Sequence, residues 1–273
     1  MIIDTQKLYI VCSDLMKEAG KIILSAHDTD NCLHSKPGTQ NFVTDYDVAV
    51  QSFLMKGLLE AFPEACFIAE EKDNDSNVLN SELCFIIDPI DGTNCFIHNC
   101  RSSAISIGAV SHGDVVFGAV YNPYSDELVS ARKGCGATIN AKPAHVSERP
   151  PELGLGLFGT CPYYKDVLSE ASFNMARDLF CSCVDIHRAG SAAIDLCQIA
   201  TGSCEMFFEM VLQPWDIAAA KLIIEEAGGI ITAFDGSPIE LGKPSSVIAA
   251  NRLSYPVLKQ LASKYIPSLL PDT

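Results

Sequence analysis

Tryptophan is almost missing from this chain of 273 residues: Trp215 is the only one. Positive charge is also scarce. Lysine and arginine together number 19 against 34 aspartates and glutamates, a formal net charge of −15, and no basic run offsets it. Such a chain repels nucleic-acid phosphate and anionic lipid surfaces, so neither a nucleic-acid polymer nor a membrane is expected as a partner. Either the protein avoids polyanions, or it meets small anions through bound cations. No apolar run approaches the ~20 residues of a membrane-spanning helix. The opening MIIDTQKLYIVCSD has no charged segment followed by an unbroken apolar one, so no signal peptide is expected. The twelve cysteines stand as singletons. Cys95, His98 and Cys100 have no second pair at ligand spacing, which argues against zinc. Thiols without an export signal point to the cytoplasm.

What is present is enough apolar material, 48% of residues, for a large core. At roughly 150 residues per domain, the length fits one large domain or two tightly packed halves. Residues 4–27 read as an amphipathic helix, with Leu8, Val11, Leu15, Ala19, Ile22 and Ala26 at three- and four-residue steps and Asp4 as cap. A loop through Pro37 and Gly38 precedes a second helix from about Asp47 to Ala61. The short apolar runs CFIA (66–69), LCFIID, SAISIGAV, VVFGAVY and ELVSA are separated by turn residues, as in an antiparallel meander. SERPPELG, 147–154, is the candidate boundary between an N-terminal α+β half, 1–146, and a C-terminal α/β half, 147–273. In the second half, helices alternate with strands such as CSCVDI, EMFFEM, IITAF and SSVIAA.

Chemistry concentrates in FIIDPIDGTNCF, 85–96. A buried strand runs into Asp88, Pro89, Ile90, Asp91, Gly92 and Thr93. Residues three apart on a regular strand point to opposite faces, so the backbone must turn for Asp88 and Asp91 to converge. Converging carboxylates repel unless a cation lies between them, and carboxylates with a carbonyl such as that of Ile90 are the donors Mg²⁺ prefers. The plain alternative is an acidic turn bonded to its own backbone. Three further segments carry acids: WDIAAAKLIIEEAGG (215–229) with Asp216 in a helix's first turn, FIAEEKD with Glu70 and Glu71 after a strand, and KPGTQNFVTDYD with Lys36, Thr44 and Asp47. Ordinary caps would explain Asp216 equally well, and a cap by Thr44 or Asp45 would explain the last segment. An aspartyl-phosphate mechanism of the haloacid dehalogenase type is disfavoured, because its two acids stand two apart rather than three. A calcium module of the Asp-x-Asp-x-Asp-Gly type is absent.

Together the four segments resemble the inositol monophosphatase family of Mg²⁺-dependent, lithium-sensitive-type phosphatases. Asp-Pro-x-Asp-Gly-Thr matches 88–93. Trp-Asp-x-Ala-Ala with Glu-Ala-Gly-Gly matches 215–219 and 226–229, and Val-Thr-x-x-Asp matches 43–47 behind Lys36. The resemblance implies a layered αβαβα sandwich and hydrolysis of a phosphate monoester, inositol monophosphate above all, with two or three Mg²⁺. It implies Glu70, Asp88, the Ile90 carbonyl, Asp91 and Asp216 as metal ligands. Thr93 and Asp47 would orient the attacking water, and Lys36 would stand near metal and phosphate. Gly92 and Thr93 N–H groups would meet the phosphate. Gly190, Ser191, Ala192 and Glu209 would line the polyol pocket with Asp91 and Asp216. A homodimer is implied as well. Relatives on this fold cleave fructose 1,6-bisphosphate, histidinol phosphate or adenosine 3',5'-bisphosphate, and a non-catalytic scaffold is the rival of another class. The sequence departs from the family at Cys95, where asparagine is usual, which puts the order of that loop in question, and at Asn41, where an acid is common.

Overall fold

The computed structural model describes residues 3–26, 32–35, 42–72, 74–160 and 165–266. Asp4 opens the first helix as the sequence predicts, its carboxylate accepting from Gln6 N and Lys7 N at 3.0 Å each. Helix α1 (Thr5–Leu24) buries Leu8, Cys12, Met16, Ala19 and Ile23. The buried stripe is rotated from the expected one: Val11, Leu15 and Ile22 are only half-buried. The reason is a second neighbour. Helix α2 (Asp45–Ala61) packs so closely on α1 that a Cβ at Gly57 would lie 2.4 Å from Leu15. Between these helices, β1 (Leu33–Ser35) and β2 (Phe42–Thr44) form a short antiparallel pair.

Seven strands follow in sequential order: β3 (Cys66–Ala69), β4 (Cys84–Asp91), β5 (Ala104–Ser111), β6 (Asp114–Asn122), β7 (Glu127–Arg132), β8 (Ala137–Ile139) and β9 (Lys142–Ala144). Strands β4 to β7 are the predicted antiparallel meander, and β8 and β9, which the sequence reading did not foresee, extend it. Strand β3 is not part of it. It runs parallel to β4, with Cys66 opposite Cys84, because a 3-10 turn over Ser76–Asn80 carries the chain back to the start of the neighbouring strand.

Helix α3 (Thr93–Ile97) leaves β4. The second sheet has the order β11-β10-β12-β14-β13, made of β10 (Leu155–Phe158), β11 (Asp185–His187), β12 (Met206–Leu212), β13 (Ile230–Thr232) and β14 (Ser245–Ala250). Helices α4 (Lys165–Phe180), α5 (Ala192–Ala200), α6 (Pro214–Glu226) and α7 (Tyr255–Ser263) complete the fold. The run CSCVDI, 181–186, is a strand only from Asp185. Cys181 N–H and the Ser182 hydroxyl instead bond back to the last turn of α4.

Alternating side chains sort the apolar residues into three cores. Phe85, Ile87 and Phe117 face α1 and α2. Ile86 and Val120, from the opposite sheet face, meet α5, α6 and Phe207, Val247 and Ala249 of the second sheet. Phe208, Met210 and Ile248 point to the outer helices α4 and α7. The result is the layered αβαβα sandwich, with α5 and α6 as its central layer.

Two glycines let that layer approach. Gly108 and Gly118 are opposite one another on β5 and β6. A Cβ at Gly118 would lie 2.4 Å from Ala219 O, and one at Gly108 would lie 2.8 Å from Ala218 Cβ. The first turns of α6 therefore rest on bare backbone. Overpacking there is expected to cost about 1–3 kcal/mol. Gly118→Ala should lower the thermal midpoint by several degrees, and an unchanged midpoint would show that α6 has room to spare.

Candidate functional site

The site is built where β4 meets the start of α6. Strand β4 does not end at Asp88, as a turn would require, but continues through Asp91 by means of a β-bulge. Asp88 pairs with Ser106 and Asp91 with Ala104, so three steps on β4 match two on β5. The extra residue reverses the alternation and brings both carboxylates to one side. Pro89, which has no N–H to give to a ladder, is tolerated within the bulge. Ser106, the partner of Asp88, donates from Oγ to Trp215 O at 3.3 Å. That bond fixes the start of α6 beside β4 and delivers Asp216 to the two strand acids.

One oxygen from each of Asp88, Asp91 and Asp216 lies within 4.8 Å of the others. Every member is oriented by a protein donor. Ile90 N–H donates to Asp88 Oδ1 at 3.0 Å, and Gln213 N–H to Asp216 Oδ2 at 2.7 Å. Asp91 Oδ2 accepts from Ser191 Oγ at 2.5 Å and Ala193 N at 2.7 Å. The first-turn role that elementary helix chemistry offers for Asp216 is thus real and uses one oxygen. Asp47 follows the same pattern. Its Oδ2 accepts from Thr44 N and Thr44 Oγ1 at 2.7 and 2.6 Å, closing the capping box of α2, which begins at Asp45 rather than Asp47. Its Oδ1 lies 3.4 Å from Thr93 Oγ1, which is also 3.2 Å from Ile90 O. Half-buried Glu70 follows β3, its N–H bonded to Ile87 O at 3.2 Å.

The electrostatics are those of crowded, dehydrated anions. Burial, then Glu70, Asp91, Asp216 and Asp47, holds Asp88 well above the usual carboxylate range. Burial followed by Asp91 does the same to Asp216. Burial lifts Asp91 to about 6 against the bonds from Ser191 and Ala193, and lifts Asp47 to about 7 against those from Thr44. Three converging, mutually repelling carboxylate oxygens suit a hard divalent cation. No comparable group of Cys95, His98 and Cys100 exists among the described residues.

A pocket opens beside the cluster and is lined by Asp91, Gly92, Thr93, Gly190, Ser191, Ala192, Glu209 and Asp216. It thus gathers from four separate segments the residues singled out as substrate contacts. Gly92 sits at φ 85, and a Cβ there would lie 3.0 Å from the carbonyls of both Gly190 and Ser102. Glu209 is buried at a register shift in β12. Lys36 and Asn41 lie outside the described residues. Cys95 does not disorder its loop. Its thiol points at Ala189 O and Gly190 O, at 3.5 and 3.7 Å, and α3 forms.

Two charged lining residues were not singled out by the sequence motifs. Arg188 donates from Nη2 to Thr160 O at 3.0 Å, and buried Asp195 accepts from Ala189 N at 3.1 Å. Burial lifts the Asp195 carboxyl to about 7. The only signal for either was its place beside the GSAA segment.

A pH dependence follows. Asp47, Asp91 and Asp195, at about 3.9 in the unfolded chain, hold their protons in the metal-free fold up to about 6–7, so the folded state binds more protons across that window. Their contribution to stability is complete below about pH 4 and lost as pH rises to about 7. With chelator present, the thermal midpoint should be lower near pH 7.5 than near pH 5, and millimolar Mg²⁺ should raise the former more. Equal midpoints at both pH values, or a midpoint that Mg²⁺ leaves unmoved, would refute this account of the cluster.

Comparisons with known proteins agree with this geometry. A model of the inositol monophosphatase family matches residues 4–269. The Nus factor SuhB of Vibrio cholerae serotype O1 is 33% identical over 220 residues, 81% of this chain and 82% of its own. Inositol monophosphatase 1 of Homo sapiens is 33% identical over 248 residues, 88% of each chain. Among solved structures, the extragenic suppressor protein suhB from Bartonella henselae superposes with a TM-score of 0.86 at 30% identity, covering 95% of this chain and 99% of that one. Motifs, fold and relatives converge on one conclusion: the chain belongs to the inositol monophosphatase family.

Proposed function

We propose that this protein is a Mg²⁺-dependent phosphate monoester hydrolase whose preferred substrate is an inositol monophosphate. One observation carries the reading: the Asp88–Asp91–Asp216 cluster opens into a pocket that also holds the buried carboxylate of Glu209. Asp88, Asp91, Asp216, Glu70 and the Ile90 carbonyl would hold two or three Mg²⁺. When bound, such ions acidify water and stabilise a leaving alkoxide. Thr93 Oγ1, between Asp47 and Ile90 O, would orient the attacking water and pass its proton towards Asp47. The N–H groups of Gly92 and Thr93, which open α3, would receive phosphoryl oxygens. Glu209 would accept hydrogen bonds from polyol hydroxyls, with Gly190, Ser191 and Ala192 forming the facing wall. Lys36, from the resemblance alone, would stand near the metal and phosphate.

A second reading within the same chemistry draws on Arg188. Its exposed guanidinium lines the pocket, and a fixed cation suits a second phosphate, as in fructose 1,6-bisphosphate or adenosine 3',5'-bisphosphate. Histidinol phosphate completes the set. The scaffold reading keeps its place because relatives carry the name Nus factor. For the same reason, the acidic charge does not by itself exclude a nucleic-acid assembly. No helix among the described residues is long and apolar enough to cross a membrane. We place the protein in the cytoplasm as a homodimer, a state that light scattering of the purified protein would check.

Phosphate release should require Mg²⁺ and be fastest on inositol 1-phosphate in a panel with the three competing substrates. Asp91→Asn should lower kcat/KM at least about 100-fold, beyond the 10–100-fold typical of losing an outer-shell partner. Folded protein inert on every substrate would overturn the hydrolase reading in favour of the scaffold. Glu209→Gln separates the substrates. Losing a charge-assisted hydrogen bond of about 1.5–3 kcal/mol should cost roughly 10–100-fold in kcat/KM on inositol 1-phosphate. An equal loss on a phosphate ester without a polyol would remove Glu209 from recognition.

A further inference from the structure

Two thiols meet at the rim of the pocket for a reason that lies in the backbone. Helix α3 ends at Ile97 with His98 as its cap, and Asn99 takes the left-handed conformation at φ 51. Cys100 N–H donates to Cys95 O at 2.8 Å, and Asn99 N–H donates to Phe96 O at 3.0 Å. These are the nested bonds of a Schellman turn, which brings together the side chains of the residue two beyond the helix cap and the residue three before it. Here both are cysteine. A disulfide needs its Cα atoms roughly 4.4–6.8 Å apart, and the two thiols here are near enough to hydrogen-bond with one another.

The two thiols are unequal in access and in partners. Cys100 is exposed, whereas Cys95 is half-buried and lines the pocket. The Cys95 thiol faces the carbonyls of Ala189 and Gly190. The next residue, Ser191, grips Asp91 through its hydroxyl, and Ala193 N–H grips the same oxygen. Cys95 therefore ties α3 to the segment that orients a carboxylate of the cluster. Cys66 and Cys84 are also neighbours across two strands, but Cys84 is fully buried and closed to an oxidant.

We propose that Cys95 and Cys100 are a dithiol modification site, converted reversibly to a disulfide that loosens the hold of the Ala189–Ala193 segment on Asp91. The oxidant is a low-molecular-weight disulfide. The Cys100 thiolate attacks one of its sulfurs and expels a thiolate, leaving a mixed disulfide. The Cys95 thiolate then attacks Cys100 Sγ and expels the second thiolate. Two protein thiols give up two electrons and two protons, and the oxidant leaves as two thiols. Without its proton, Cys95 no longer donates to Ala189 O or Gly190 O, and its sulfur moves towards Cys100.

The test treats the intact protein with oxidised glutathione, blocks the remaining thiols, and locates the protected cysteines by fragment-ion mass mapping. Mg²⁺ affinity is measured on the same samples by calorimetry. The expected result is a Cys95–Cys100 linkage that forms before any other, is reversed by dithiothreitol, and weakens Mg²⁺ binding several-fold. Cys100→Ser should bind Mg²⁺ like the reduced parent and keep that affinity after oxidation. Oxidation that links or caps other cysteines but leaves these two unlinked would overturn the site. Equal loss of Mg²⁺ affinity in Cys100→Ser would overturn its coupling to Asp91. The linkage is read without metal or substrate, so reduced protein that fails to bind Mg²⁺ counts against the proposed hydrolase and not against the thiol pair.

Discussion

Repulsion among Asp88, Asp91 and Asp216 is the constraint on which this structure turns. Like charges brought together in a dry place are unfavourable unless the protein holds them or a cation joins them. Here the protein does the holding. A bulge turns two strand acids the same way, a serine on β5 pins the helix that brings the third, and backbone donors grip one oxygen of each. Each acid is held through one oxygen by a protein donor while the three carboxylates stand together, an arrangement that suits a ligand of opposite charge.

Much of the remaining architecture serves that gathering. The central layer can rest against the seven-stranded sheet because Gly108 and Gly118 present no side chain to α6. The pocket draws on β4, α3, α5 and β12, elements far apart in the chain, and the segment before α5 reaches across to Asp91. Residues with plain structural explanations often have a second use. Thr44, Asp47 and Asp216 make capping bonds that any helix start would welcome, yet Asp47 and Asp216 each turn an atom towards the site. A cap and a functional residue are not competing descriptions when a carboxylate has two oxygens to offer.

The departure at Cys95 shows how a local motif can carry new chemistry. A side chain set in α3, just after β4, replaces one polar contact by another, since the thiol still faces the carbonyls ahead of Ser191. Its partner thiol comes from the geometry of helix termination and from no long-range contact. Control of the site would then reside in a six-residue turn and leave the cores untouched.

The amino-acid sequence alone was enough for features whose causes are local. These include the Asp4 cap, the meander from β4 to β7, the helix opened by Trp215 and Asp216, and the acid-rich stretch after Phe85. Each follows from periodicity, turn chemistry or the company of neighbouring side chains. Only the tertiary structure decided that β3 runs parallel, because strand direction depends on where a connection returns. It also decided that Asp88 and Asp91 converge through a bulge within a continuing strand, since bulges are defined by a partner strand that the sequence does not name. Arg188 and Asp195 entered the pocket on the same terms, as did the contact of Cys95 with the Ser191 segment. Their neighbours are distant in the chain, and such proximity arises only when the layers close.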